Sequence, residues 1–185
     1  MGGPDGGGSG GSEAAGRVVQ VNVSDGGVPK RPVPAARITR DGVEGDRQRD
    51  RRYHGGPERA VSAWSLEVIE ALRAEGHPVT PGGAGENLTV SGLDWAAIRP
   101  GSRLCFSRGV ELEVRSFAAP CPIIQGNFTG GAYDRISDKT HPGSSRVYCR
   151  VLREGAIAAG EGVSVVEAGR AAPTDGASGC QDPAR

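Results

Sequence analysis

Apolar and polar residues alternate along much of this chain. Val110-Glu111-Leu112-Glu113-Val114 is the clearest run, and a period of two marks a half-buried strand. Arg17–Val23 alternates in the same way, with Val19, Val21 and Val23 in step. Leu88-Thr89-Val90, Arg146–Arg153 and Gly162–Glu167 predict three further strands. Val147, Cys149 and Val151 share a face in the second of these, and Val163 and Val165 in the third. Ser102–Ser107 and Val110–Arg115 pair as a hairpin around Arg108-Gly109. Val28–Arg40 carries Pro29, Pro32 and Pro34, so it reads as extended, edge-like structure. Only Ser65–Glu75 has a clear helical period, with Val68, Ile69 and Leu72 joining Trp64 in an apolar stripe. Ser65 can cap that helix, and Gly76 with Pro78 can end it. Short strands, frequent turns and one helix predict a mainly β domain, and closure into a barrel is the natural way to remove its edges.

Composition sets the limits. The chain has 185 residues, enough for one domain with a real core. Gly/Ser-rich residues 1–16 and the polar stretch 169–185 are expected to be disordered tails around a domain spanning 17–168. Twenty-two basic and 22 acidic side chains cancel, which argues against a general nucleic-acid binder. No long apolar run suggests a membrane span. No signal peptide is visible either, and the chain reads as soluble and cytoplasmic. Cys105, Cys121, Cys149 and Cys180 form no C-x-x-C pair, so the strong zinc and redox patterns are absent. Cys105 and Cys149 lie in strand-like runs and read as small core residues.

Cys121 is different. Proline stands on each side of it. Pro122 fixes its own φ and keeps Cys121 out of the α region, and Pro120 does the same to Ala119. The tripeptide predicts a stiff, extended exit from a strand that holds a thiol in one place. Free cysteines are often buried and inert, but the prolines argue against regular structure and favour a functional thiol. Gln125–Pro142 follows as a polar, Gly-rich stretch suited to a lid.

Two other stretches admit two readings each. Arg47–Arg52 holds four arginines and runs into Tyr53-His54-Gly55-Gly56. It is either a solvated face or an anion site, because arginine offers forked donors and glycine lets backbone N–H groups approach. Pro81–Gly92 is either a long connection or a loop in which Asn87 offers an amide to a heterocycle and Glu86 orients a neighbour. His77 and His141 read as surface residues.

Several pieces in order resemble the MOSC domain family, named for the C-terminal domain of molybdenum-cofactor sulfurases. They are Gly42-Val43-Glu44-Gly45-Asp46, then His54-Gly55-Gly56 with Ala60-Val61, then Gly85-Glu86-Asn87-Leu88-Thr89-Val90. Pro120-Cys121 follows the Leu112-Glu113-Val114 strand, and Arg146 precedes Tyr148-Cys149-Arg150-Val151-Leu152. The resemblance covers roughly Arg17–Glu167 and is greatest to short, stand-alone bacterial members. It implies a MOSC-type closed β-barrel and a molybdenum cofactor site of the molybdopterin type. By this resemblance Cys121 is the catalytic residue and the metal ligand. Motif position and chemistry together assign cofactor binding to Arg47, Arg52, His54, Gly55, Gly56, Glu86, Asn87 and Arg146. Two functions fit the resemblance. One is an oxidoreductase that reduces N-oxygenated, for example N-hydroxylated, small molecules with a separate electron-transfer reductase. The other is a cofactor-handling protein that carries sulfur on Cys121 from a separate sulfur donor. The chain departs from the family in having Phe117-Ala118-Ala119 where an arginine often precedes the Pro-Cys pair.

Overall fold

A computed structural model describes residues 16–47 and 56–167. Seven strands close into a barrel. Around it run β1 (Gly16–Val23), β6 (Leu88–Ser91), β5 (Val61–Ser65), β9 (Val147–Arg153), β8 (Glu111–Phe117), β7 (Arg103–Phe106) and β11 (Gly162–Val166), which returns to β1. Closure leaves this ring without an open edge. β2 (Arg31–Val33) extends from β1, while β3 (Ala35–Thr39), β4 (Gly42–Val43) and β10 (Gly155–Ala158) form a small separate sheet. All barrel neighbours are antiparallel except β5 and β6, which are parallel. A parallel pair needs a crossover connection, and the helix α1 (Leu66–Ala74) supplies it.

The expected mainly β fold, hairpin and helix are all present. Ser65 caps α1 by accepting from the Val68 N–H at 3.3 Å, and Ile69 and Leu72 are buried beneath it. Val147, Cys149 and Val151 all face the core. The first strand is shifted from its expected phase. The register with β6 slips between Val18 and Gln20, so Val18 and Val21 point inward and Val19 does not. β5 carries no alternation because all five of its residues are buried, as befits a strand covered on both faces. Trp64, Phe106, Leu88, Leu104, Leu112 and Ile157 build the centre of the core. No helix among the described residues is long and apolar enough to cross a membrane. Both expected tails lie outside the described residues, apart from Gly16, which begins β1.

The stretch expected to be a lid is fastened down. It forms three short 3-10 turns, with Ile124, Phe128 and Ile136 buried. Arg135 makes a two-pronged pair with Glu75 at 2.9 and 2.6 Å, just after α1. His77 is also drawn in rather than left on the surface. Its Nδ1 accepts from the Thr129 N–H at 3.2 Å, and its ring meets Phe128 edge-on at 5.4 Å. Cys105 is buried as expected, but it is disulfide-bonded.

Candidate functional site

A cleft of about 520 Å³ opens against the paired residues Ser62 of β5 and Tyr148 of β9. Cys121 lies on it. β8 ends at Phe117, and the chain then runs extended to Cys121, whose φ and ψ are −141° and 161°. Pro122 begins the next 3-10 turn, where the missing N–H does no harm. The Cys121 carbonyl accepts from the Ile124 N–H at 3.1 Å, and buried Ile124 anchors the turn. The thiol is free and partly exposed. Cys149, in the barrel wall, is the contrasting case: it is buried, and desolvation pushes its thiol up to about 12.

Four cations share the cleft: Lys30, Arg47, Arg59 and Arg146. None of the described residues that line it is a carboxylate. Arg47 is exposed, and its Nη1 lies 3.3 Å from Asp25 Oδ1. Arg59 stacks its guanidinium on the Tyr148 ring, 5.7 Å from the centroid. Arg146 is 6% exposed. Its Nη1 donates to the Ala84 carbonyl, while its buried Nε has no hydrogen-bond partner among the described residues. An unpartnered donor on a cationic cleft favours an anionic occupant.

Asn87 touches the cleft, but its amide is already engaged. Nδ2 donates to the Asn22 carbonyl at 3.2 Å and to Asp46 Oδ2 at 2.9 Å. Oδ1 accepts from Ser62 N–H at 3.1 Å and Ser62 Oγ at 3.0 Å. Both Nδ2 partners can only accept, so the orientation of the amide is fixed. In this arrangement Asn87 clamps the walls together. Its amide hydrogens are not free for a heterocycle.

Glu86 lies behind the lining and is fully buried. Its Oε1 accepts from the Gly82 N–H at 2.6 Å and from Thr89 Oγ1 at 3.1 Å, while Oε2 has no partner among the described residues. Desolvation raises its carboxyl above the usual range, against those hydrogen bonds and the nearby Arg146 charge. In this structure its Oε1 holds the Gly82 loop. Gly82 in turn accepts from the Lys30 N–H at 2.9 Å.

The structure therefore brings together Cys121, Arg47, Asn87 and Arg146 of the expected site, with Glu86 supporting from behind. Gly56 does not line the cleft. Arg52, His54 and Gly55 lie outside the described residues. The glycines that do face the cleft are Gly26, Gly27 and Gly85. In sequence, a pair such as Gly26-Gly27 signals a turn and nothing more. Lys30 and Arg59 went unmarked as well, the first hidden in a proline-rich stretch and the second just beyond the double glycine.

A family profile described as MOSC domain matches residues 50–164. The chain belongs to the MOSC domain family. It is 30% identical over 145 residues to the uncharacterized protein YflK of Bacillus subtilis strain 168, a match that takes in 77% of this chain and 64% of that protein. The chain thus spans just under two-thirds of that relative. Solved structures of MOSC-type proteins share the fold. YiiM from Geobacillus stearothermophilus matches with a TM-score of 0.62 at 24% identity, over 82% of this chain and 75% of that one. YiiM from Escherichia coli matches with a TM-score of 0.60 at 22% identity, over 82% and 70%. The MOSC family is associated with molybdenum cofactor. The residues present fit such a group. The free thiol is a soft ligand of the kind molybdenum accepts, and the cations with the unpartnered Arg146 Nε suit an anionic pterin phosphate.

Proposed function

We propose that this MOSC-domain chain binds molybdenum cofactor in the cleft, with the Cys121 thiolate on the metal, and reduces N-oxygenated small molecules such as N-hydroxylated bases. A separate reductase supplies the electrons. The observation that carries this reading is a free, partly exposed thiol on a cleft whose described lining has four cations and no carboxylate. The bound group would supply the two-electron, oxygen-removing chemistry, and the protein holds and orients it. Pro120 and Pro122 fix the direction of Cys121, and Ile124 anchors the turn behind it. Arg146 and Lys30 are the deeper cations, and Arg47 and Arg59 are exposed. Asn87 holds Asp46 against Lys30, and Glu86 holds the Gly82 loop, whose Gly82 and Ala84 carbonyls accept from the Lys30 N–H and from Arg146.

The test is metal and pterin content after purification from a host that makes the cofactor, wild type beside Cys121→Ala. Molybdenum and pterin in the wild type, with metal lost in the variant, is the expected result. A persulfide on Cys121 with neither metal nor pterin would move the assignment to sulfur handling. An empty protein with an unmodified thiol would defeat both readings.

A further inference from the structure

Lysine is rare in this chain. Of its 22 basic side chains only Lys30 and Lys139 are lysines. One of those two lines the cleft that holds Cys121. Its side chain is 10% exposed, and its Nζ donates to Asp46 Oδ2. Arginine and lysine are not equivalent in such a place. A guanidinium keeps its proton, whereas an ammonium can release one. Burial draws Lys30 below the ordinary lysine range, with Asp46 and then Glu86 opposing the shift and Arg146 adding to it. Among the described residues, Arg47, Arg59, Cys121 and Tyr148 are the other charged or titratable groups facing the cleft.

Lys30 is held at both ends, its ammonium by Asp46 and its backbone by Gly82. Asp46 accepts four hydrogen bonds: from Ser24 N–H at 2.8 Å, Ser24 Oγ at 3.4 Å, Asn87 Nδ2 at 2.9 Å and Lys30 Nζ. A carboxylate so engaged cannot turn away from the lysine. On the backbone side, the Lys30 N–H is tied to Gly82.

We propose that Lys30 is the proton-delivering group of the cleft, with Asp46 and Asn87 as its positioning residues. This rests on the reductase reading above. Reducing an N-hydroxylated base takes two electrons and two protons. The N–O bond breaks, one O–H and one N–H bond form, and water leaves. The electrons come from the external reductase. The Lys30 ammonium gives the proton that departs with the oxygen as water, and solvent reprotonates the amine. The second proton reaches the nitrogen from solvent.

Two lysines make the test clean. Lysine labelled with carbon-13 at Cε gives one signal from Lys30 and one from Lys139, assigned with Lys30→Arg. In the cofactor-free chain, Lys30 should titrate at lower pH than Lys139, and lower still in Asp46→Asn. A Lys30 signal that titrates with Lys139 or above it overturns the proposal. The second arm uses loaded protein. Lys30→Arg should keep wild-type molybdenum and pterin content and lose on the order of 100-fold in kcat. The alkaline limb of the wild-type pH profile should coincide with the Lys30 titration and be missing from the variant. Full turnover in Lys30→Arg overturns the proposal and leaves the cofactor reading standing. Wild-type protein without molybdenum or pterin removes the reductase reading, and this proposal with it.

Discussion

Asn87→Ala separates a structural clamp from a ligand reader. The side chain makes four hydrogen bonds: two to Ser62, one to the Asn22 carbonyl and one to Asp46. Asn22 and Ser62 are buried. Truncation orphans the Ser62 N–H and the Asn22 carbonyl, at about 1–3 kcal/mol each. Ser62 Oγ escapes this fate, because it still contacts the Gly85 carbonyl at 3.3 Å and the Asn87 N–H at 3.1 Å. Asp46 loses one of its four donors, adding about 1 kcal/mol. The sum is roughly 3–7 kcal/mol, a large share of the about 5–15 kcal/mol that holds a domain together. Urea unfolding of the cofactor-free chain, followed by far-ultraviolet circular dichroism, should show a lower midpoint with an unchanged slope. The melting temperature should fall by roughly 10 °C. Asn87→Asp should cost at least as much, since it sets a carboxylate against Asp46 and a carbonyl. If Asn87→Ala stays within about 1 kcal/mol of wild type and only cofactor content falls, the clamp is wrong and Asn87 reads the ligand.

Three further outcomes are expected. Glu86 has a folded-state pKa above its unfolded value, so its stabilising contribution is full below the unfolded pKa and is lost as pH rises through the folded one. Relative to Glu86→Gln, the wild type should therefore lose stability as pH rises above the ordinary glutamate range in urea titrations, and parallel curves would contradict a buried acid at this position. Gly82→Ala should destabilise by at least about 1–2 kcal/mol, because φ is +79° and a Cβ would come within 2.6 Å of the Lys30 carbonyl. An unchanged midpoint there would show that the two loops are not in contact. Iodoacetamide should label Cys121 in the native protein and spare Cys149, whose thiol is buried and pushed up to about 12. Equal labelling in peptide mapping would contradict the packing of β9.

The barrel was legible where one face of a strand is wet. Val147, Cys149 and Val151 alternate with half-buried neighbours, and the period shows. β5 has no wet face, so its period carries no information. The phase of β1 was lost because a register slip is a property of two strands, and one strand's sequence cannot show it. Cys121 was legible because proline acts locally, through its own ring. Lys30 was not, because its meaning comes from Asp46, sixteen residues on, and from Gly82, in another loop. The polar stretch after Cys121 suggested a lid by composition. Its three buried apolar residues and its pair to Glu75 decide otherwise, and both are tertiary facts.

Motif position and side-chain role come apart at Gly85-Glu86-Asn87. Both polar residues of that motif are buried, and both spend their hydrogen bonds on protein. Glu86 fixes Gly82, and Gly82 fixes Lys30. Asn87 fixes Asp46, and Asp46 fixes the other end of Lys30. The two chains of contacts converge on a single lysine, one at its backbone and one at its ammonium. A buried carboxylate with one unpartnered oxygen costs stability on its own account, so its place here is better explained by what it holds than by what it stabilises. The same holds for the unpartnered Nε of Arg146, which gains nothing from the folded chain alone. Substitutions at Glu86 and Asn87 should therefore act on cofactor and substrate through the placement of Lys30 and Arg146, and the Lys30 titration would register that displacement before any activity is measured.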